Sequence, residues 1–385
     1  MKENEINNDI IVFFIKNYKK PNYNIDTNLL SSVNALISEE FNKIVASGDI
    51  KFIISYQFTE FKFNFFHVLC KYGNPQDLIA AINILESDEI NSYDDNRYTG
   101  LHHAVIAGNY ENVKILLQSG ANYNFRSSDE TRNWLPIHYA SKFNHREIVK
   151  ELILSGVDKN VKTAFGLTPL HIAAEFAAID VIKYLVEKKC DLNATSNSEN
   201  YNLSPIHYAV IANSIEAVEA LANAGANVFL KSLSGDDALL MACKRKFVVI
   251  ANYLLGFGND KLEEVLSILE DNQMDSLIQK TKDLIFVRDE LFNSVNLKYS
   301  SIDLIEFLSK VSINNVESIN IELSKNIRVS ILFLIAVRQK VGLITKRNIS
   351  LREFAEKNGF LILANSLRKL EEIVLYKQMH NSAKN

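Results

Sequence analysis

The sequence predicts an all-α chain: a solenoid of helix-turn-helix units joined by β-hairpin-like loops, then a further helical region. Three observations predict it. A six-residue motif recurs in register through the middle of the chain. Each copy is followed by a turn residue, a second amphipathic segment and a Gly- or Asn-containing turn. Beyond Asp260 these turn signatures vanish, while apolar residues keep helical spacing and Pro is absent.

The motif is clearest at Thr168 to Ala173, Thr-Pro-Leu-His-Ile-Ala. Its relatives are Ser204 to Ala209, Leu135 to Ala140 and Thr99 to Ala104. The histidines fall at 102, 138, 171 and 207, spaced 36, 33 and 36 residues. Weaker copies centre on His67 and, with Leu240 in the histidine's place, on Ala238 to Cys243.

Each part of the unit has a physical reason. Thr or Ser caps a helix by accepting a bond from an unpaired amide, and Pro beside it has the φ of a first helical position. A histidine at this place can bridge neighbouring backbone through its two ring nitrogens. Six residues later come Gly73, Gly108, Asn144 or Asn213, which tolerate the left-handed geometry that ends a helix. Ala177 and Lys246 depart from that pattern, so a different closure is expected there. The second helix reads from Val113 to Leu117 or Ile148 to Ile153, and the turn from Gly120-Ala121-Asn122 or Gly156-Val157-Asp158.

In these residues the chain resembles the ankyrin-repeat family, with four good repeats and two degenerate ones over residues 62–258. One such motif is weak evidence, whereas four in register, each with its turn and second helix, are specific. Residues 1–61 are expected to form a helical N-terminal capping region with a degenerate repeat, since Ala46-Ser47-Gly48-Asp49 keeps part of the pattern and Asp26-Thr27 can start a helix. Residues 259–385 read either as a separate helical domain or as eroded repeats with a terminal tail; Ser350 to Phe360 resembles a terminal capping repeat.

Composition narrows the function. The net charge of −4 does not suggest wholesale nucleic-acid binding. The three cysteines, Cys70, Cys190 and Cys243, are far apart without CxxC spacing, which favours a reducing, cytosolic environment over a disulfide or zinc framework. The apolar run Ile10 to Ile15 is short and follows Glu3, Glu5 and Asp9, unlike a secretory signal, and Val329 to Val337 is too short to span a bilayer. A soluble chain, monomeric and without a membrane span, is expected.

Catalytic chemistry is hard to place. No Gly-rich phosphate loop, H-E-x-x-H or G-x-S-x-G occurs. After Asp260 there is no cysteine and the histidine is His380 alone, which argues against a Cys-His or Ser-His mechanism there. No cofactor and no metal is expected. His67, His102, His138, His171 and His207 are read as structural, one per repeat, while His103 and His145 are expected at the surface.

The resemblance implies binding through the hairpin tips and the concave face of the first helices. Counted from each histidine, the tips hold Tyr98, then Arg132 and Trp134, then Phe165, then Tyr201. The concave positions hold Lys142 and Phe143, and Glu175 and Phe176. Aromatics and Arg dominate binding energy at interfaces, so Tyr98, Arg132, Trp134, Lys142, Phe143, Phe165, Phe176 and Tyr201 are the expected partner-binding residues, with Trp134, Phe143 and Phe165 at the centre.

An interaction protein is thus expected. An N-terminal array, a helical tail and a chain rich in Asn, Ile and Lys resemble the ankyrin effectors that intracellular bacteria inject into host cells, which would make the partner a host protein and the destination the host cytoplasm. Two other classes stand beside it: an enzyme whose repeats present substrate to a catalytic tail, and an endogenous intracellular scaffold.

Overall fold

The computed structural model describes residues 27–47, 62–128, 133–257, 262–282 and 285. Expected features at Arg132, at the N-terminal stretch before residue 27 and at Ser350 to Phe360 lie outside them. The chain divides into two compact units, Met1–Gly235 and Asp236–Asn385. Among the described residues there are no strands; Tyr93 and Thr99 form an isolated bridge.

The first unit opens with α1 (Thr27–Ser47). Its Ile37, Phe41 and Ile44 are buried, and it packs on the first helix of the array. Helix pairs follow: α2 (Phe65–Tyr72) with α3 (Pro75–Ile82), α4 (Gly100–Ala107) with α5 (Tyr110–Gln118), and α6 (Pro136–Lys142) with α7 (Arg146–Leu154). Then come α8 (Pro169–Glu175) with α9 (Ile179–Glu187), and α10 (Pro205–Ile211) with α11 (Ile215–Asn223). First helices stack on first helices and second on second, which makes two layers with the core between them. Helices of 7 to 9 residues are too short to persist alone, so stacking supplies their stability.

Two asparagines stitch neighbouring pairs. Asn112 of α5 donates its amide to the carbonyls of Leu69, Cys70 and Gly73, at 3.2, 3.2 and 2.9 Å, and so satisfies the C-terminal end of α2. Asn144 accepts the Asp180 and Val181 amides, each at 3.1 Å, and so caps the start of α9.

The turn between paired helices differs from expectation at three positions. Gly73 is extended, with φ −67°, not left-handed; it is needed because a Cβ there would lie 2.6 Å from the Leu69 carbonyl oxygen. Ala177 and Lys246, expected to close differently, take the same left-handed turn as Gly108, Asn144 and Asn213, with φ 50° and 61°. The turn bond explains this. The residue after each of them donates back to the helix, Ala178 to Ala173 at 2.8 Å and Phe247 to Ala242 at 2.9 Å, and the chain can reach that bond only through positive φ.

The second unit holds α12 (Ala238–Lys244), α13 (Val248–Leu255), α14 (Leu262–Asp271) and a helical stretch at 275–282. α14 packs on α12 as successive first helices do in the first unit. Gln273 takes φ 57°, and Met274 donates to the Leu269 carbonyl at 2.9 Å, which reproduces the repeat's inner turn. Asn272 donates to the Cys243 carbonyl at 3.0 Å. Residues 262–282 therefore form a helix pair of repeat geometry without the Pro-x-His signature.

Candidate protein-binding surface

The repeat histidines set the loop positions. In each of them a backbone N–H three residues upstream donates to Nδ1: Asn64 to His67, Thr99 to His102, Leu135 to His138, Thr168 to His171 and Ser204 to His207, at 3.1 to 3.2 Å. An Nδ1 that accepts leaves the proton on Nε2. That proton is donated to the next loop: His67 to Ser92 O at 3.1 Å, His138 to Val161 O at 3.2 Å, and His171 to Leu203 O at 3.1 Å. Burial pushes His67, His102 and His138 down to about 3 and His171 to about 4, so the rings are neutral, and His67, His138 and His171 bridge to the next loop while the buried His102 Nε2 makes no hydrogen bond among the described residues.

Successive hairpin tips are joined by backbone bonds as well. Ser128 donates to Asn96 O, Asn197 to Phe165 O and Leu233 to Tyr201 O, at 2.8, 3.0 and 2.8 Å. The tips thus form a ribbon in two runs, 96–128 and 165–233.

The expected binding residues separate into two groups. Trp134 is corrected: it is 1% exposed and lies 5.0 Å from the Tyr139 ring and 6.2 Å from His138, so it belongs to the core and offers a partner no area. Tyr98 is half-buried, edge-on to Tyr139 at 5.5 Å, with its hydroxyl accepting from Tyr139 at 3.3 Å. Phe165 is half-buried.

The concave residues gather differently. The Lys142 ammonium lies 4.9 Å from the Phe176 ring centroid, 5.3 Å from Phe143 and 5.9 Å from Trp134. Phe176 is 39% exposed and Phe143 half-buried. A cation over aromatic faces is held in place with its stem against the rings. At the tips Tyr201 is 63% exposed, raised from the loop by φ 61° and followed by Asn202 at φ 51°. Leu233, 60% exposed, stands beside it through their backbone bond. Sequence counting missed Leu233 because its repeat lacks the histidine. It also missed Tyr93, Arg97 and Phe125, where the Arg97 guanidinium lies 5.6 and 4.9 Å from the two ring centroids.

His103, expected at the surface, is buried, and His145 is half-buried. His103 Nε2 is 3.0 Å from Asp94 Oδ2, and Asp94 also accepts the Asn96 and Tyr98 amides. The register of α4 turns this second histidine inward, where the carboxylate of the preceding hairpin meets it. Lys71 nearby is lowered to about 8 by burial, against the pull of Asp94.

The three cysteines are free and buried, and burial raises all three thiols, Cys190 to about 11 and Cys243 to about 12. Among the described residues no group of three or more His, Cys, Asp or Glu could hold a metal ion. No described helix is long and apolar enough to cross a membrane.

Stacked helix pairs, bridging histidines and a tip ribbon define a repeat-array binding scaffold. Comparison with known proteins names it: the family described as Ankyrin repeats (3 copies) matches residues 66–163 and 137–232. Residues 66–232 thus match ankyrin repeats. It is similar to the nuclear factor NF-kappa-B p105 subunit of Gallus gallus, 31% identical over 170 residues, 43% of this chain and 17% of that protein. It is also similar to a putative ankyrin repeat protein of Fowlpox virus (strain NVSL), 37% identical over 111 residues, 28% of this chain and 32% of that protein. The chain thus spans less than half the length of each relative. Among solved structures it resembles the ankyrin repeat domain of Bcl-3, of the IkappaB protein family, at 26% identity and TM-score 0.47, covering 53% of this chain and 97% of that one. These relatives are vertebrate and viral and lend no support to the expected likeness to bacterial effectors.

Proposed function

We propose that the chain is a protein-binding module that seats its partner on the concave face around Lys142, Phe143 and Phe176, with Tyr201 and Leu233 as a second contact on the tips. Ankyrin repeats supply the class, a protein-protein interaction module. The observation that carries the location is Phe176, a large apolar ring 39% exposed beside a half-buried Phe143, with the Lys142 ammonium over both. Aromatic area that is held rigid and left open to water is what interface anchors are made of. Three free, buried, protonated thiols support work in a reducing compartment.

The test is capture of partners by the full chain, compared with the Phe143→Ala/Phe176→Ala double variant checked for an unchanged melting transition. Loss of the dominant captured protein, with affinity reduced about tenfold or more, is expected for a two-residue anchor. Undiminished capture by the folded double variant overturns the location.

A further inference from the structure

We propose that Arg97, with Tyr93 and Phe125 beneath it, is the anchoring point for a carboxylate-rich segment of the partner protein at the hairpin tips. This rests on the protein-binding reading above and adds the chemistry of what is bound.

The platform is built by two repeats. Tyr93 and Arg97 flank the hairpin closed by the Asp94 amide on Tyr98 O (3.1 Å) and the Arg97 amide on Asp94 O (2.8 Å). Phe125 comes from the loop after α5, and its ring lies 5.3 Å from that of Tyr93. The guanidinium lies 5.6 Å from the Tyr93 centroid and 4.9 Å from the Phe125 centroid. Contact through the rings uses the cation's π face and leaves its N–H donors available for hydrogen bonding.

Two features point to a ligand. Arg97 is exposed, Tyr93 is 49% exposed, and among the described residues no hydrogen bond or ion pair engages the Arg97 side chain. Among the described residues the neighbouring carboxylates are otherwise committed: Asp94 is buried on His103, and Asp95 pairs with Lys62 at 3.1 Å. Arg97 also holds φ 55°, a conformation that is costly for a residue with a side chain, and it sets the guanidinium over the rings. The result is an ordered cation with spare paired donors on an apolar plate. A carboxylate answers the fork in bidentate fashion, and an aliphatic or aromatic neighbour in the same segment answers the exposed Tyr93 ring.

The experiment measures binding of the full chain to an array of short fluorescein-labelled peptides, each with two central Glu or Asp residues beside a Leu or Phe, and each paired with its Gln or Asn counterpart. Acidic peptides should bind in preference to their amide counterparts, and the preference should weaken with salt. Arg97→Gln should reduce that binding about tenfold or more, as for a charge-assisted hydrogen-bonded pair. Arg97→Lys, which keeps the charge but not the fork, should restore only part of it. Lys183→Gln, on the exposed side of α9, should leave it unchanged. Acidic peptides that bind Arg97→Gln as well as the parent overturn the proposal, as does an array without any preference for Glu over Gln. A cellular partner whose capture depends on Phe143 and Phe176 but survives Arg97→Gln overturns this inference alone and leaves the binding-module reading standing.

Discussion

His171 on α8 donates from Nε2 to the Leu203 carbonyl, 3.1 Å away in the following loop, while its Nδ1 accepts the Thr168 amide at 3.1 Å. One neutral ring thus joins a helix start to the loop that begins the next repeat. The bridge works only while the ring is uncharged, because a protonated Nδ1 would face the Thr168 N–H with a second donor.

That requirement makes stability depend on pH. His67, His102 and His138 are lowered to about 3 and His171 to about 4, each chiefly by burial. The unfolded chain takes up protons near pH 6.5 and the folded chain only near pH 3 to 4, so stability is level above about 6.5 and falls as the pH drops below it. Well inside that window each such histidine removes about 1.4 kcal/mol per pH unit. Urea midpoints on either side of pH 6.5 will show a plateau and then a steep fall; midpoints unchanged down to about pH 5 would contradict the neutral-bridge reading.

Asn112→Ala leaves three carbonyls at the end of α2 without the amide that now serves them. Unsatisfied buried polar groups cost about 1 to 3 kcal/mol, so a loss in the upper part of that range is expected. Equilibrium denaturation measures it, and Asn112→Asp should be no better, since a carboxylate cannot donate.

Trp134→Ala is expected to act on folding. A fully buried Trp truncated to Ala costs about 3 to 5 kcal/mol, and the indole here is 1% exposed. The melting temperature of the variant should drop sharply. A variant as stable as the parent would return Trp134 to the surface.

Ala177→Gly should stabilise the chain. Ala177 holds φ 50°, where a side chain costs about 1 to 2 kcal/mol that glycine avoids, against a smaller entropy cost in the unfolded state. A net gain of about 0.5 kcal/mol is expected in the denaturation midpoint, and a loss would show that the Ala177 methyl is needed for packing.

The array was legible in the sequence because its information is local. Thr168-Pro169 starts a helix and His171 sits three residues from its cap wherever the rest of the chain lies, so four copies in register expose the solenoid and place the concave Lys142, Phe143 and Phe176. Burial of a given ring is not local. Trp134 and Tyr201 are both tip aromatics, four and six residues before their repeat histidines, yet one is folded back on Tyr139 and the other stands 63% exposed. The left-handed φ at Tyr201 lifts its ring from the loop, while Trp134 packs inward as Leu167 and Leu203 do at the same count from their histidines. The platform of Tyr93, Arg97 and Phe125 was hidden for the same reason, since it joins residues of two repeats that only stacking brings together. The inner turn at Gln273 shows the reverse limit: repeat geometry persists at 262–282 after its signature is gone, because the backbone bond from Met274 to Leu269 needs a left-handed residue but no particular side chain. By itself, then, the sequence determined the repeat, its caps and its bridging histidines, whose interactions are short-range; the tertiary structure decided which aromatics face water, because that depends on contacts across repeats.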